Sequence, residues 1–167
     1  MEFRQAEMKD IPQIMEIIQA AQQYLKQEGI DQWQNNYPNP DSLKEDITNN
    51  NSYLIKDRDK IVATAAIIFG DDPTYSYIEG GKWISKGNYG VVHRAAVAET
   101  YKGQGIISKI FVQTYQLAAA DGITSIRIDT HPNNKAMQRA IEKEGFKYCG
   151  IIYTEDESKR FAYEKLI

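Results

Sequence analysis

Tyr101-Lys102-Gly103-Gln104-Gly105-Ile106-Ile107 is the stretch on which the fold reading turns. It lies between a β-forming run, Tyr89–Val97, and a segment in which Ile107, Ile110, Phe111, Thr114 and Ala118 recur at helical spacing. A helix N-terminus offers unpaired N–H groups and a partial positive charge. Glycine lets the backbone approach an anion with no Cβ in the way. Strand, glycine loop and helix in that order predict a diphosphate cradle, with Lys102 adding a positive charge at its edge. The same spacing also suits an ordinary strand-to-helix turn. A dinucleotide fingerprint G-x-G-x-x-G fits Gly103 and Gly105, with Asp129 placed where a ribose-binding acid would sit. It fails at the third glycine, where Ser108 stands, and the further βαβ units of such a fold are missing.

Working outward, Met1–Gln5 reads as an edge strand. Asp10 reads as the N-cap of a helix to about Gln27, with Gln13 as reciprocal cap and Ile11, Ile14, Met15, Ile18 and Leu25 on its apolar face. Gly29–Pro40 is irregular, and a short helix runs from Asp41-Ser42 to about Asn49. Ser52–Lys56 and Ile61–Phe69 form a hairpin around a polar turn. Asp71–Asn88 reads as a long polar and aromatic turn. After the central helix, ended by Gly122, come a strand Ser125–Asp129 and a helix Asn133–Glu144 stopped by Gly145. A hairpin of Phe146–Tyr153 and Lys159–Lys165 closes the chain. This order predicts an α/β (α+β) domain with a mixed sheet of about six to seven strands and helices on both faces.

A length of 167 residues predicts one domain over 1–167, with 42% apolar and 26% charged residues, as in soluble globular domains. A net charge of −3 gives no global field to draw nucleic acid or an anionic membrane. No apolar run approaches the ~18 residues of a membrane span, and the first residues lack the pattern of a signal peptide. Cys149, the single cysteine, has no internal disulfide partner. It reads as a small buried hydrophobe rather than an acyl-carrying nucleophile. A cytoplasmic protein is the expectation. With two histidines and one cysteine, no set has metal-ligand spacing, so no metal is expected.

The glycine loop resembles motif A of the GNAT acetyltransferases, Q/R-x-x-G-x-G/A. Lys102 stands at the Q/R position, Gly105 matches, and Ile107 replaces the usual Gly or Ala. Val91-Val92-His93-Arg94-Ala95-Ala96-Val97 looks like the family's fourth strand. Asn134 and Gly145-Phe146 fall at the spacing of motif B. The order of elements extends the resemblance over essentially the whole chain.

The resemblance implies acetyl-CoA as co-substrate, seated where two parallel strands splay apart, here Tyr89–Val97 and Ser125–Asp129. Ala95 and Val97 would lie beside the pantetheine arm, and Asn134 would hydrogen-bond it. Backbone N–H groups of Lys102, Gly103, Gln104, Gly105, Ile106 and Ile107 would hold the pyrophosphate. The implied chemistry is direct attack of a primary amine on the thioester. Only about one amine in two thousand is neutral at pH 7, so a base is needed. A backbone N–H of the splayed strand would serve the oxyanion, and an acid would help the thiolate leave. The family's usual base and acid positions hold Val91 and Ile141, neither of which titrates. His93, two residues along on the same strand face, is the candidate base. Tyr148, Tyr153 or water is the candidate acid.

Trp33 and Tyr37 are candidates for walling the acceptor pocket; Trp33 equally suits a core plug. Tyr75, Tyr77, Glu79 and Trp83 form a second candidate wall, and Glu79 or the acids of Asp41–Asp46 would attract a cation. Asp129 would orient the amine, and His131 would line its side; both also suit caps or turns. The acceptor expected is a small-molecule or protein amine, and an edge strand would allow a homodimer. Two alternatives stay open: a non-catalytic acetyl-CoA sensor, and a nucleotide-dependent oxidoreductase.

Overall fold

Runs of β-forming residues separated by amphipathic helices produce eleven main elements in the computed structural model, which describes residues 1–167. They are β1 (Glu2–Gln5), α1 (Ile11–Gln27), α2 (Pro40–Thr48), β2 (Ser52–Asp57), β3 (Lys60–Phe69), β4 (Gly90–Val97), α3 (Ile106–Ala120), β5 (Ser125–Thr130), α4 (Lys135–Lys143), β6 (Lys147–Tyr153) and β7 (Lys159–Leu166). The strands form one mixed seven-stranded sheet in the order β1-β2-β3-β4-β5-β7-β6. The chain divides into two compact units, residues 1–67 with 94–110, and residues 68–93 with 111–167.

In the first unit, β1, β2 and β3 pair antiparallel. Ile14, Ile17 and Ile18 of α1 pack with Leu43 of α2, Leu54, Ile61 and Ala96. The start of α1 differs from the capping pattern expected at Asp10. Asp10 holds the N-cap position of α1 but makes no side-chain capping bond; it ends a 3-10 turn over Met8–Asp10 and has helical backbone angles. Its carboxylate accepts the Glu7 N–H at 2.8 Å and both arms of the Arg4 guanidinium at 2.8 and 3.0 Å. A charged fork is a stronger partner than a neutral helix N–H, so the local cap gives way to it. Gln13 instead accepts the Ile61 N–H at 3.2 Å. At α2 the cap is Asn39, in a reciprocal box with Ser42, and Pro40 opens the helix one residue before the expected start.

In the second unit, β5 pairs with β7 along its whole length, and β7 pairs with β6. Tyr75, Tyr89, Val91, Ile152 and Ala162 form a core, and Phe111 of α3 meets Phe146 at 5.1 Å. The segment read as a long turn is fastened down. Pro73–Tyr75 is a 3-10 turn capped by Asp72, and Tyr75 is buried. Glu79 and Ile151 exchange backbone hydrogen bonds of 2.8 and 2.9 Å. Gly81 lies so close to β6 that a Cβ there would stand 1.9 Å from the Cys149 carbonyl oxygen.

A buried carboxylate holds this segment to β5 and β7. Glu164, fully buried, accepts from the Ile84 and Ser85 N–H groups, from the Ser85 and Ser125 hydroxyls, and from Arg127 Nε at 3.3 Å. The Arg127 guanidinium lies 4.2 Å from the Trp83 ring centroid and 3.8 Å from that of Tyr89. Burial pushes the Glu164 carboxyl up, but the Ser125 and Ser85 hydrogen bonds, the Ile84 N–H and the Arg127 charge outweigh it and hold it below the usual range. A depressed folded-state value stabilises above the ordinary carboxylate pKa, near 4.3, and that stability is lost as pH falls through the folded value. Glu164→Gln is therefore expected to cost about 3–5 kcal/mol in urea unfolding at pH 7, because it strands a buried Arg127 charge. The variant should also lose less further stability than the wild type below about pH 4.

Candidate active site

β4 and β5 run parallel but register only at Gly90–Ile126 and Val91–Arg127. Past Val91, Val92 and His93 leave the ladder, while β5 stays held by β7 through Thr130. His93 projects at this parting, its side chain 20% exposed. Its Nε2 lies 2.7 Å from Asp72 Oδ2, and its Nδ1 lies 3.9 Å from Asp129 Oδ2. Asp72 comes from the start of the 3-10 turn, where its other oxygen accepts the Thr74 N–H at 2.9 Å. Burial raises the Asp72 carboxyl, but the hydrogen bond and charge of His93, with the Thr74 donors, hold it below the usual range. An ionised Asp72 accepts the Nε2 proton, so Nδ1 is the free acceptor, an assignment that follows from the hydrogen-bond network.

Asp129 stands at the end of β5. Its Oδ2 accepts the Tyr75 hydroxyl at 2.6 Å, and Arg160 Nε lies 3.9 Å from its Oδ1. Burial, then the Asp129 charge, pushes the Tyr75 phenol far up, so it stays a donor. The Tyr75 ring lies 5.7 Å from that of His93, and its carbonyl accepts the Trp83 indole N–H at 3.0 Å. The result is one polarised imidazole between two carboxylates with different partners. It can take a proton at Nδ1 and hold a cation beside Asp129.

The glycine loop lies in the first unit. Gly103 and Gly105 have φ of +74° and +73°, and a Cβ on either would meet nothing within 4 Å. The glycines answer a backbone requirement and leave open space above the loop. Ile106 opens α3 and is buried, whereas Ile107 is half-buried. The Lys102 ammonium pairs with Glu99 and lies 4.4 Å from the Tyr24 ring centroid. Gln104 donates to the Thr100 carbonyl at 2.9 Å. Ala95 and Val97 are half-buried on either side of the core residue Ala96.

The other sequence-derived candidates sit as follows. Asn134 caps α4, its Oδ1 accepting the Met137 N–H at 3.2 Å, and His131 Nδ1 accepts the Asn133 N–H at 3.1 Å. Trp33 packs against the α1–α2 core and also lines an open cavity of about 690 Å³ with Gln22, Lys26, Gln34 and Asn36. The Tyr37 hydroxyl accepts from Arg94 at 2.7 Å. Tyr153 donates to Glu79 at 2.6 Å, a bond that raises its phenol. Tyr148 is half-exposed and packs edge-on against Phe161 and Tyr163. Cys149 is buried, which pushes its thiol up.

Two residues of this geometry carried no sequence signal as site residues. Asp72 reads as one acid in a polar turn, and only the fold brings it to His93. Arg94 reads as an ordinary strand residue, yet it has a φ of +53°. Its Nε and Nη2 donate to the two Asp46 oxygens at 2.8 and 2.6 Å. Burial acts to lower the Arg94 guanidinium, but Tyr37 and Asp46 outweigh it and raise it.

A mixed seven-stranded sheet with a parting parallel pair and helices between its strands defines an α/β protein. The sequence profile of the Acetyltransferase (GNAT) family matches residues 14–146, and the chain belongs to that family. The structure is similar to that of a GNAT-family acetyltransferase from Streptococcus agalactiae 2603, with a TM-score of 0.85 and 31% identity over 99% of this chain and 95% of that one. A GNAT-family acetyltransferase from Listeria monocytogenes 4b F2365 matches with a TM-score of 0.75 and 16% identity, over 99% of this chain and 94% of that one. A chain of the NatC complex bound to Gag peptide and CoA matches with a TM-score of 0.69 and 15% identity, over 99% and 98% of the two chains. The last two share the fold. No curated protein matches this chain. No helix is long and apolar enough to cross a membrane.

Proposed function

We propose that the protein transfers the acetyl group of acetyl-CoA directly to a primary amine, with His93 as the base. The observation that carries this reading is the 2.7 Å contact of His93 Nε2 with Asp72, which leaves Nδ1 3.9 Å from Asp129. An acceptor arrives as an ammonium ion, attracted by the Asp129 carboxylate. Nδ1 takes its proton, and Asp72 stabilises the imidazolium through Nε2–H. The neutral amine then attacks the thioester carbonyl and the C–N bond forms; the attacking nitrogen, now cationic, gives its second proton to water as the C–S bond breaks. A backbone N–H of β4 beyond its pairing with β5 donates to the oxyanion. The departing thiolate is protonated by Tyr148, Tyr153 or water.

Acetyl-CoA fits the residues available. The open glycine loop at the α3 N-terminus suits a pyrophosphate, held by N–H groups from Lys102 to Ile107. The backbone of Ala95 and Val97 suits the pantetheine amides, and Asn134 would donate to the same arm. Trp33, Tyr37 and His131 belong to the acceptor side. The single cysteine and net charge of −3 support a cytoplasmic protein acting on small-molecule or protein amines, alone or as a homodimer, without nucleic acid or membrane.

A second reading has its own observation. Val91 and Ile141, at the positions where the family usually carries base and acid, are fully buried and apolar. That favours a module that binds acetyl-CoA without turning it over.

Thiol release from acetyl-CoA across an amine panel decides between these readings. Under the first, His93→Ala lowers turnover about 10²–10⁴-fold while calorimetric affinity for acetyl-CoA is kept; wild-type turnover in that variant removes His93 as the base. Gly105→Glu is expected to weaken acetyl-CoA binding strongly, by adding a side chain and a negative charge at a left-handed position of the loop. An unchanged affinity removes the loop assignment. A nicotinamide dinucleotide serves as the control ligand in the same titration.

A further inference from the structure

Arg94 follows His93 directly and stands in the left-handed region, with φ +53°, inside β4. A bulky residue there is an outlier, and it persists only where its surroundings over-determine it. Three charge-assisted hydrogen bonds do so. The Arg94 fork meets both oxygens of Asp46 at 2.8 and 2.6 Å, and Nη1 donates to the Tyr37 hydroxyl at 2.7 Å. The two charged side chains are 15% and 9% exposed. Asp46 is carried by α2, whose start is fixed by the Asn39–Ser42 box. A planar fork on a carboxylate fixes direction as well as distance.

We infer that the Arg94–Asp46–Tyr37 clamp holds the left-handed turn in β4 and thereby sets the orientation of His93, which makes Arg94 a positioning residue. The purpose of that orientation rests on the reading of His93 as the base; the clamp itself does not. A left-handed residue breaks the alternation of a strand and bends it, as at a bulge. It comes three residues past Val91, the last residue of β4 registered with β5. Rotation about the Arg94 N–Cα bond back to the extended region would redirect the chain next to His93. The 2.7 Å contact of Nε2 with Asp72 tolerates little such movement.

Glycine adopts a positive φ freely and alanine does not. Arg94→Gly and Arg94→Ala delete the same clamp, but only the alanine pulls the backbone out of the turn. Nitrogen NMR of the full-length protein reads the tautomer and titration of His93, identified as the signal missing from His93→Ala. The pH profile of kcat/KM is recorded beside it. Arg94→Ala is expected to shift the His93 titration and lower kcat/KM about 10–100-fold, the population change that matches the cost of a left-handed non-glycine residue. Arg94→Gly should keep the wild-type titration and most of the turnover. Equal losses in both variants, or a wild-type His93 in Arg94→Ala, overturn the inference. Should Arg94→Ala not fold, Asp46→Asn replaces it: a shifted His93 titration with Arg94 present and an unshifted one in the Arg94→Gly background support the clamp, and any other pattern overturns it. The NMR readout does not depend on turnover. A protein that transfers no acetyl group but whose His93 responds to alanine and not to glycine retains the clamp and loses the acetyltransferase reading.

Discussion

The parallel contact between β4 and β5 ends after two registered pairs, and the proposed chemistry depends on that ending. A backbone leaving a ladder has N–H and C=O groups that need other partners. An extended ligand with amides of its own can supply them, as the pantetheine arm of acetyl-CoA does in the proposed reading. The parting also makes room for a titratable side chain, His93, where continued pairing would leave only core. β5 does not loosen in exchange. It stays paired with β7 along its whole length, and Glu164 of β7 binds Ser125 and Arg127 of β5.

The acids of the second unit divide by how completely their oxygens are satisfied. Glu164 is fully buried and gathers backbone, hydroxyl and guanidinium donors, so its charge has no capacity left for a reactant. Asp72 is occupied by His93 and the Thr74 N–H, which makes it an orienting group. Asp129 has one short hydrogen bond, from Tyr75, with His93 and Arg160 both at 3.9 Å. Those longer separations are too great for hydrogen bonds, and on the proposed reading they leave Asp129 able to accept from an incoming ammonium. Burial alone would rank Glu164 first among these acids; counting donors ranks it last for catalysis.

The glycine loop was legible as glycines between a strand and a helix, and in the structure Gly103 and Gly105 both have positive φ. The family resemblance put the usual base position at Val91, and strand alternation put His93 on the same face. What stayed hidden depends on partners distant in the chain. Asp10 and Gln13 match a capping pattern, yet Arg4 and Ile61 claim them. Gly81 reads as loop glycine, although its lack of a Cβ is required by the Cys149 carbonyl on another element. Asp72 lies 21 residues from His93 and Asp46 lies 48 from Arg94, so neither pairing leaves a local trace. The polar composition of Asp71–Asn88 predicted a turn, but its buried Tyr75 and its bonds to Glu164 make it part of the site's support.

The apolar residues at the family's usual base and acid positions follow from the same packing. Val91 belongs to the core with Tyr75, Tyr89, Ile152 and Ala162, and Ile141 of α4 is fully buried. A carboxylate in place of Val91 would need donors that this cluster does not offer, and its pKa would rise until it was neutral. Moving the titratable group two residues along the strand keeps it on the same face but brings it beyond the last paired residue, within reach of Asp72. A base needs both an orienting partner and access to its substrate; on the proposed reading His93, partly exposed and held by Asp72, meets both needs, whereas Val91 is fully buried among apolar residues.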